Sequence, residues 1–345
     1  MSASEPHLFR LPRPLRLESG TTLPRVEVTY HTYGRLNAAR DNVVWVCHAL
    51  TANADVLSWW PGLFGAGCHF DPADWFIVCA NVLGSCYGST GPLTPDPLTE
   101  HAAYQHFPLL TIRDMVAAHE ALREHLALTS VHTLIGGSLG GQQAVEWAVQ
   151  RPELFEHLVL LATSARHSAW GIAFNEAQRL AIFADPTYET ATPAGGAAGL
   201  RAARAVALLS YRSPDAYDRT QTDPDESKLD DYLASSYQRY QGDKLVARFN
   251  AYSYVTLSRA MDSHHVGRRR GGIAAALGRI RARTLVVGIS SDVLFPPQEQ
   301  QLLARHIRGA RYAEMDSHYG HDGFLIETAQ ITHFLERFYV QSYVH

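Results

Sequence analysis

Five short, mainly apolar runs, separated by segments of helical periodicity, constrain the fold of this chain more than any other feature. The runs are residues 43–47, 75–80, 131–135, 158–162 and 284–289. Such runs suit strands buried on both faces, as in a parallel sheet covered by helices. Residues 112–126 and 141–149 place apolar side chains at helical spacing, and residues 26–33 alternate like a half-exposed strand. The pattern predicts an α/β domain with a mostly parallel sheet and right-handed crossovers.

The alternation stops in the middle of the chain. Between about residues 165 and 275 helical segments occur at 177–183, 199–211 and 229–257, with links at 186–196 and 213–227 and no convincing strand. The strand pattern resumes at Thr284. We therefore predict an α/β core formed by residues 1–164 and 276–345, into which residues 165–275 are inserted as a helical lid.

Composition argues against several other classes of protein. The chain carries 30 Lys and Arg against 34 Asp and Glu, a net charge of −4, which gives no general electrostatic case for nucleic-acid binding. There is no run of about 18 apolar residues, and residues 1–6 lack the basic and apolar parts of a signal peptide. No pair among the four cysteines has CxxC spacing (Cys47, Cys68, Cys79 and Cys86). We expect a cytoplasmic protein with reduced thiols, no metal site and no membrane partner.

A G-x-S-x-G pattern lies between the predicted strand 131–135 and the helix that follows it. The pattern is Gly136-Gly137-Ser138-Leu139-Gly140, and this strand-to-helix context is the one that a nucleophile elbow requires. Glycines remove the Cβ atoms that would clash in so sharp a turn, and the helix N-terminus directs free N–H groups toward the site. The simpler interpretation is a glycine-rich turn with an exposed serine. The position of the pattern between a strand and a helix favours Ser138 as a catalytic nucleophile.

A nucleophilic serine needs a histidine base and a carboxylate that orients the base. Asp292 follows the apolar run 284–289, and the carboxyl ends of parallel strands are where open α/β sheets bind ligands. Its alternative role is a turn or capping residue before Pro296. Residues 316–324 contain two candidates for the base, His321, which directly precedes a helix pattern, and His318. We favour the triad Ser138, Asp292 and His321.

Two backbone N–H groups are needed to stabilise the oxyanion of an acyl-transfer reaction. One belongs to Leu139, the residue after the nucleophile. The other is expected in the loop after the first apolar run, which reads His48-Ala49-Leu50-Thr51, and we choose Leu50. His48 is interpreted as shaping this loop.

Longer motifs are spread over nearly the whole chain. They are residues 48–51 (HALT), 81–92 (NVLGSCYGSTGP), 111–116 (TIRDMV), 136–141 (GGSLGG) with 146–148 (EWA), 174–179 (FNEAQR), 291–292 (SD) with 295–296 (FP), and 320–325 (GHDGFL). At these residues the chain resembles the homoserine O-acetyltransferase family, α/β-hydrolase-fold acyltransferases of methionine biosynthesis. The resemblance implies the α/β-hydrolase fold with a lid, and the same three catalytic residues.

The resemblance also implies the substrate side of the site. Family members hold the homoserine carboxylate with an arginine seven residues before a tyrosine in the lid, which Arg204 and Tyr211 match. The alternative is a solvated charge on a helix face. Asp322 matches the family residue that contacts the substrate amino group. The co-substrate implied is acetyl-CoA or succinyl-CoA, no permanently bound cofactor is expected, and the family expectation is a homodimer.

Some alternatives stay open at the level of the sequence. Many relatives have Met where this chain has Leu139 and Gln142, which leaves acetyl against succinyl transfer undecided. Three other hypotheses remain: a transferase with serine as the acceptor, an esterase or thioesterase with the same triad, and a binding protein that only keeps the fold. The run Arg268-Arg269-Arg270 is a candidate for binding the phosphates of coenzyme A, although a solvated patch is the simpler interpretation. The favoured hypothesis is acetyl transfer to L-homoserine by a ping-pong mechanism through an acyl-serine.

Overall fold

A computed structural model describes residues 5–340, and its centre is one eight-stranded sheet. The described residues form strands β1 (His7–Arg10), β2 (Leu15–Arg16), β3 (Thr22–Leu23), β4 (Glu27–Tyr33), β5 (Val43–Cys47), β6 (Phe76–Ala80), β7 (Val131–Gly137), β8 (Phe155–Leu161), β9 (Arg283–Ile289) and β10 (Arg311–Met315). The large sheet has the order β1-β4-β6-β5-β7-β8-β9-β10, while β2 and β3 pair separately. Each of the five apolar runs coincides with a strand of this sheet, except that Trp75 precedes β6 and Ala162 follows β8.

Strand direction in the sheet follows the predicted pattern. Strands β5 to β10 run parallel, with Val46 opposite Ile135 and Gly137 opposite Leu161, whereas β1 and β4 pair antiparallel at one edge. The central strands are parallel because helical connections link them. This confirms the mostly parallel sheet.

Helices cover both faces of the sheet. They are α1 (Val56–Trp59), α2 (Ile112–His125), α3 (Leu139–Gln150), α4 (Ala169–Phe183), α5 (Ala197–Tyr211), α6 (Pro214–Gln221), α7 (Leu233–Val246), α8 (Ala251–Asp262), α9 (Ile273–Leu277), α10 (Pro297–His306), α11 (Gly323–Ile326) and α12 (Thr328–Val340), with 3-10 turns at Tyr104–His106, Pro186–Thr190 and Gly320–Asp322. On one face Trp45 of β5 meets Trp147 of α3 edge-on, with 5.0 Å between ring centroids. On the other face Trp60 packs against Phe324. Burial from both sides explains why the strands read as continuous apolar runs.

Between Leu161 and Arg283 every residue is described, and helices α4 to α9 replace strands there. Arg166 and His265 form only an isolated bridge. The predicted change of character is therefore present, and the division into a core and a lid at residues 165 and 275 remains our proposal.

The sequence prediction of the helical region is wrong in three places. The single helix expected at 229–257 is two helices, α7 and α8, because Asn250 caps a new helix by accepting a hydrogen bond from the Ser253 N–H at 2.8 Å. The link expected at 213–227 contains α6, whose N-terminus is capped by the Ser213 hydroxyl and begins with Pro214. Helix α4 also begins at Ala169, earlier than the predicted residue 177.

The described part of the chain, residues 5–340, contains no helix that is both long and apolar enough to cross a membrane. The signal-peptide prediction concerned residues 1–6, of which residues 1–4 lie outside the described part.

Candidate active site

Ser138 occupies a sharp turn between β7 and α3. Its backbone has φ 57° and ψ −126°, a left-handed conformation that is costly for a residue with a side chain. The turn is held because the Ser138 N–H donates to the Leu161 carbonyl at 3.0 Å and the Ser138 carbonyl accepts from the Thr163 hydroxyl at 2.8 Å. At Gly140 a Cβ atom would lie 2.0 Å from the Cys47 carbonyl oxygen, so only glycine allows α3 to approach β5 this closely. This is the geometry of a nucleophile elbow.

His321 and Asp292 meet behind this turn. His321 Nδ1 lies 2.7 Å from Asp292 Oδ2, and both side chains are buried. The other carboxylate oxygen, Oδ1, accepts from the backbone N–H groups of Leu294 at 2.8 Å and Phe295 at 2.9 Å. These bonds fix the carboxylate, which in turn fixes the imidazole with its proton on Nδ1. The competitor His318 instead lies against the ring of Tyr319, with ring centroids 4.0 Å apart, and does not line the cavity described below.

The surroundings of His321 prepare its second nitrogen for proton transfer. Nε2 is buried and has no hydrogen-bond partner among the described residues, so its lone pair is free. Burial lowers the pKa of His321, but the Asp292 carboxylate outweighs burial and leaves the pKa above its usual value. Phe295 stacks on the imidazole, with ring centroids 5.1 Å apart. Activation of a serine requires a buried, oriented imidazole whose Nε2 is able to accept a proton, and His321 has these properties.

The loop after β5 carries the predicted oxyanion donor. Leu50 lines the same cavity as Ser138, and Leu139 is the first residue of α3, where backbone N–H groups have no partner within the helix. His48 holds the loop, since its Nδ1 lies 2.8 Å from the Ala49 carbonyl and its Nε2 accepts from the Val82 N–H at 3.1 Å. Burial lowers the pKa of His48 to about 4, so the ring stays neutral and keeps this pair of bonds.

One cavity of about 600 Å³ brings the predicted residues together. Its lining includes Ser138, His321, Leu50, Arg204, Tyr211 and Asp322. Asp292 and Leu139 do not line it, but Asp292 is hydrogen-bonded to His321, and Leu139 directly follows Ser138 in the chain. The segments after β5, β7 and β10 supply one side of the cavity, and helix α5 of the helical region supplies Arg204 and Tyr211 on the other.

Arg204 and Tyr211 lie two turns apart on α5, which explains why they share a face. The Arg204 guanidinium carbon is 5.4 Å from the Tyr211 ring centroid, and its Nε is buried without a hydrogen-bond partner in the part of the chain described. A carboxylate entering the cavity would supply that partner. Asp322 Oδ2 forms an ion pair with Arg212 Nε at 2.9 Å. Burial raises the pKa of Asp322, against the lowering effect of Arg212 and Arg204.

Arg212 and Glu299 were missed by sequence reasoning. Nothing in the spacing marks Arg212, because its pairing with Asp322 depends on how the lid contacts the core. Glu299 lies in the first turn of α10, beyond Asp292, and one of its oxygens is buried without a partner among residues 5–340. Burial, with a contribution from the Asp292 carboxylate, raises the pKa of Glu299 to about 7.

A group of side chains that could hold a metal ion lies at the other end of the sheet. The ligand atoms of His132, Glu156 and His157 lie within 4.8 Å of one another. These residues lie near the starts of β7 and β8, whereas Ser138 follows the end of β7. The group therefore takes no part in the site, and the four cysteines are free thiols.

The arginine run at 268–270 is not directed into the cavity. Arg268 forms an ion pair with Glu18 at 2.8 Å, and Arg270 forms one with Glu146 at 2.6 Å. Neither residue lines the cavity of Ser138. Arg268 and Arg270 therefore join the helical region to Glu18 and to Glu146 of α3, and a role in phosphate binding has no support from their position.

Comparison with known proteins agrees with this geometry. The family model described as alpha/beta hydrolase fold matches residues 42–328. A homoserine O-acetyltransferase of Cyclobacterium marinum is 46% identical over 350 residues, covering 99% of each chain. The crystal structure of the homoserine O-acetyltransferase of Staphylococcus aureus is 31% identical with a TM-score of 0.80, covering 96% of this chain and 95% of that one. An acetylester hydrolase of Corynebacterium glutamicum is 25% identical with a TM-score of 0.85, covering 97% and 95%. The chain belongs to the homoserine O-acetyltransferase family, within the α/β hydrolase fold.

Proposed function

We propose that this protein transfers the acetyl group of acetyl-CoA to the side-chain hydroxyl of L-homoserine. The observation that carries the proposal is the meeting of two sets of residues in one cavity. Ser138 and His321 provide acyl-transfer chemistry, and Arg204 and Asp322 provide opposite charges for the two ends of an amino acid. The names of the full-length relatives support acetyl as the acyl group.

In the first half-reaction, His321 Nε2 takes the proton of the Ser138 hydroxyl while Ser138 Oγ attacks the thioester carbonyl. The N–H groups of Leu50 and Leu139 stabilise the negative charge on the carbonyl oxygen. The C–S bond then breaks, and the protonated His321 returns its proton to the departing coenzyme A thiolate. The product is an acetyl ester on Ser138.

In the second half-reaction, homoserine replaces coenzyme A. Its carboxylate pairs with the Arg204 guanidinium, and its ammonium pairs with the Asp322 carboxylate, which Arg212 also contacts. Tyr211 packs beside Arg204 and limits its movement. His321 takes the proton of the homoserine hydroxyl as this oxygen attacks the carbonyl carbon of the acetyl-serine. The bond between that carbon and Ser138 Oγ then breaks, His321 returns the proton to Ser138 Oγ, and O-acetylhomoserine leaves.

An esterase is the second candidate, favoured by the likeness to the acetylester hydrolase of C. glutamicum. The same triad would pass the acetyl group to water. Arg204 and Asp322 argue for the transferase, because paired charges of opposite sign recognise a zwitterionic acceptor and contribute nothing to attack by water. Exclusion of water by the lid would protect the acetyl-serine.

The test offers acetyl-CoA and succinyl-CoA with L-homoserine and L-serine in all four combinations, with product identification by mass spectrometry. We expect O-acetylhomoserine as the main product. No amino-acid ester in any combination would refute the transferase, and thiol release without ester would identify the esterase. Ser138→Ala with an unchanged rate would refute the acyl-serine mechanism.

We also propose a cytoplasmic homodimer. The free cysteines and the family resemblance support these two points. Size-exclusion chromatography with light scattering tests the dimer, and a monomeric mass at working concentration would contradict it.

A further inference from the structure

Two cations of the lid, Lys244 and Arg248, line the cavity of Ser138 and have no part in the mechanism above. Lys244 lies near the C-terminus of α7, and Arg248 follows the end of that helix. Both side chains belong to exposed residues, whereas Ser138 and His321 are buried. The two cations therefore lie at the mouth of the cavity, and Ser138 and His321 lie at its floor.

The charge of Lys244 is uncompensated. The sequence contains only two lysines, Lys228 and Lys244. Lys228 forms an ion pair with Asp223 at 2.7 Å, but Lys244 forms no ion pair or hydrogen bond with any residue of the described range 5–340. The neighbouring carboxylate, Asp243, is paired with Arg201 at 2.8 Å. Lys244 therefore presents a free positive charge at the cavity mouth.

Arg248 is positioned but is also not neutralised. Its Nη1 donates to the Thr51 carbonyl and to the Tyr87 hydroxyl, each at 2.5 Å. Both acceptors are uncharged, and no carboxylate of residues 5–340 forms an ion pair with it. These bonds hold the guanidinium against the loop of Leu50 while its positive charge remains available. An arginine that is already oriented loses less side-chain entropy when it binds an anion.

Among the described residues that line the cavity, Asp322 is the only carboxylate, and it is paired with Arg212. An anionic substrate group is therefore attracted to the mouth of the cavity, and the proposed acyl donor carries several phosphates. Arg204 lies over the ring of Tyr211, which in turn contacts the His321 ring, and it is less exposed than Lys244 and Arg248. It is assigned to the acceptor carboxylate. The two ends of acyl-CoA then bind at separate places: the thioester lies at Ser138, and the phosphates lie at the mouth of the cavity.

We propose that Lys244 and Arg248 form the subsite that binds the phosphate groups of acyl-CoA. This inference rests on the proposed function, since it assigns part of the donor of that reaction. Lysine and arginine are the usual phosphate-binding side chains, as point charge and as planar fork respectively.

The kinetic test compares two donors, acetyl-CoA and S-acetylpantetheine, which has the same thioester but no phosphate. The measured quantity is the ratio of kcat/KM for the two donors, in which changes that affect the chemistry equally cancel. We expect Lys244→Met and Arg248→Met each to lower this preference for acetyl-CoA about fivefold, the size typical of an exposed ion pair. Lys228→Met is the matched control, with an unchanged ratio. An unchanged ratio in Lys244→Met and Arg248→Met would overturn the proposal.

A second test does not depend on activity. Wild-type protein is treated with a limiting amount of an amine-directed acylating reagent, with and without coenzyme A, and modification of the two lysines is quantified by peptide mass spectrometry. We expect coenzyme A to protect Lys244 several-fold, pantetheine to protect it much less, and Lys228 to serve as the internal reference. Equal labelling of Lys244 with and without coenzyme A would overturn the subsite even if O-acetylhomoserine is formed. Protection without ester formation would instead keep the subsite and refute the proposed acceptor.

Discussion

Replacing Asp292 by asparagine tests how the structure prepares the base. Asp292 Oδ1 accepts from the Leu294 and Phe295 N–H groups at 2.8 and 2.9 Å, so the amide oxygen of asparagine must stay in that position. The amide nitrogen then takes the place of Oδ2, which is 2.7 Å from His321 Nδ1. Two donors cannot face each other at this distance, so the imidazole proton must move to Nε2. The nitrogen that should accept the serine proton is then no longer a base.

The size of the effect follows from the loss of the correct tautomer. In a serine–histidine–aspartate arrangement this loss costs roughly 10⁴ in kcat, which corresponds to about 5 kcal/mol of transition-state stabilisation. Asp292→Asn keeps the shape of the side chain and two of its hydrogen bonds, so we expect the protein to fold. The assay is the initial rate of coenzyme A release with acetyl-CoA and homoserine, together with the melting temperature of each variant.

The pH profile separates this explanation from a general loss of structure. Activity requires neutral His321, so the rate rises with pH through the pKa of this residue, which the Asp292 carboxylate holds above 6.5. In Asp292→Asn the residual acid limb should move to lower pH, because burial remains and the raising charge is gone. Asp185→Asn is the control, since this lid carboxylate also accepts from backbone N–H groups but lies outside the cavity lining. A folded Asp292→Asn with a rate within tenfold of wild type would refute the reasoning.

Three further predictions concern the acceptor, the elbow and Glu299. Arg204→Met should raise KM for homoserine by about a hundredfold, the cost of a charge-assisted bond, and leave acetylation of Ser138 intact; the surface variant Arg201→Met on the same helix should match wild type, and equal KM values would contradict the assignment. Gly140→Ala places a Cβ 2.0 Å from the Cys47 carbonyl and should lower both the melting temperature and kcat, while wild-type values for both would show that the contact relaxes freely. The pKa of Glu299, raised from 4.5 to about 7 in the folded protein, means that wild type loses stability as pH rises from 4.5 to 7 and no more above it. Glu299→Gln should remove this loss, on the order of 2 kcal/mol after allowance for partial exposure. The melting temperatures of the two proteins, measured from pH 5 to 8.5, should therefore diverge up to about pH 7 and run parallel above it; curves that are parallel throughout would contradict the shift.

The sheet and the elbow were predictable because their signals are local. Uninterrupted apolar runs identify strands buried on both faces, and glycines around Ser138 identify a turn where backbone segments approach closely. The order of serine, acid and base along the chain then leads to Asp292 and His321, which the structure brings to 2.7 Å. These features depend on short stretches of sequence, so little knowledge of tertiary packing is needed.

The lid was less predictable because its details depend on packing. Helical periodicity continues across the four residues between α7 and α8, so the break at Asn250 is visible only through its cap. The pairing of Arg212 with Asp322 joins residues that are distant in the sequence and has no local signal. The same holds for Lys244, whose importance comes from the absence of a carboxylate partner among the described residues and from its place at the cavity.

The central claim is that the acetyl group passes from acetyl-CoA to Ser138 and then to homoserine. The most direct test follows an isotopic label on this acetyl group. The protein is mixed with isotopically labelled acetyl-CoA in the absence of acceptor, one portion is quenched, and another receives L-homoserine before quenching. The account predicts the label on the Ser138 peptide in the first portion and on O-acetylhomoserine in the second, with no label on the peptide of Ser138→Ala. Label that never reaches Ser138, or that leaves Ser138 only as free acetate when homoserine is present, would contradict it.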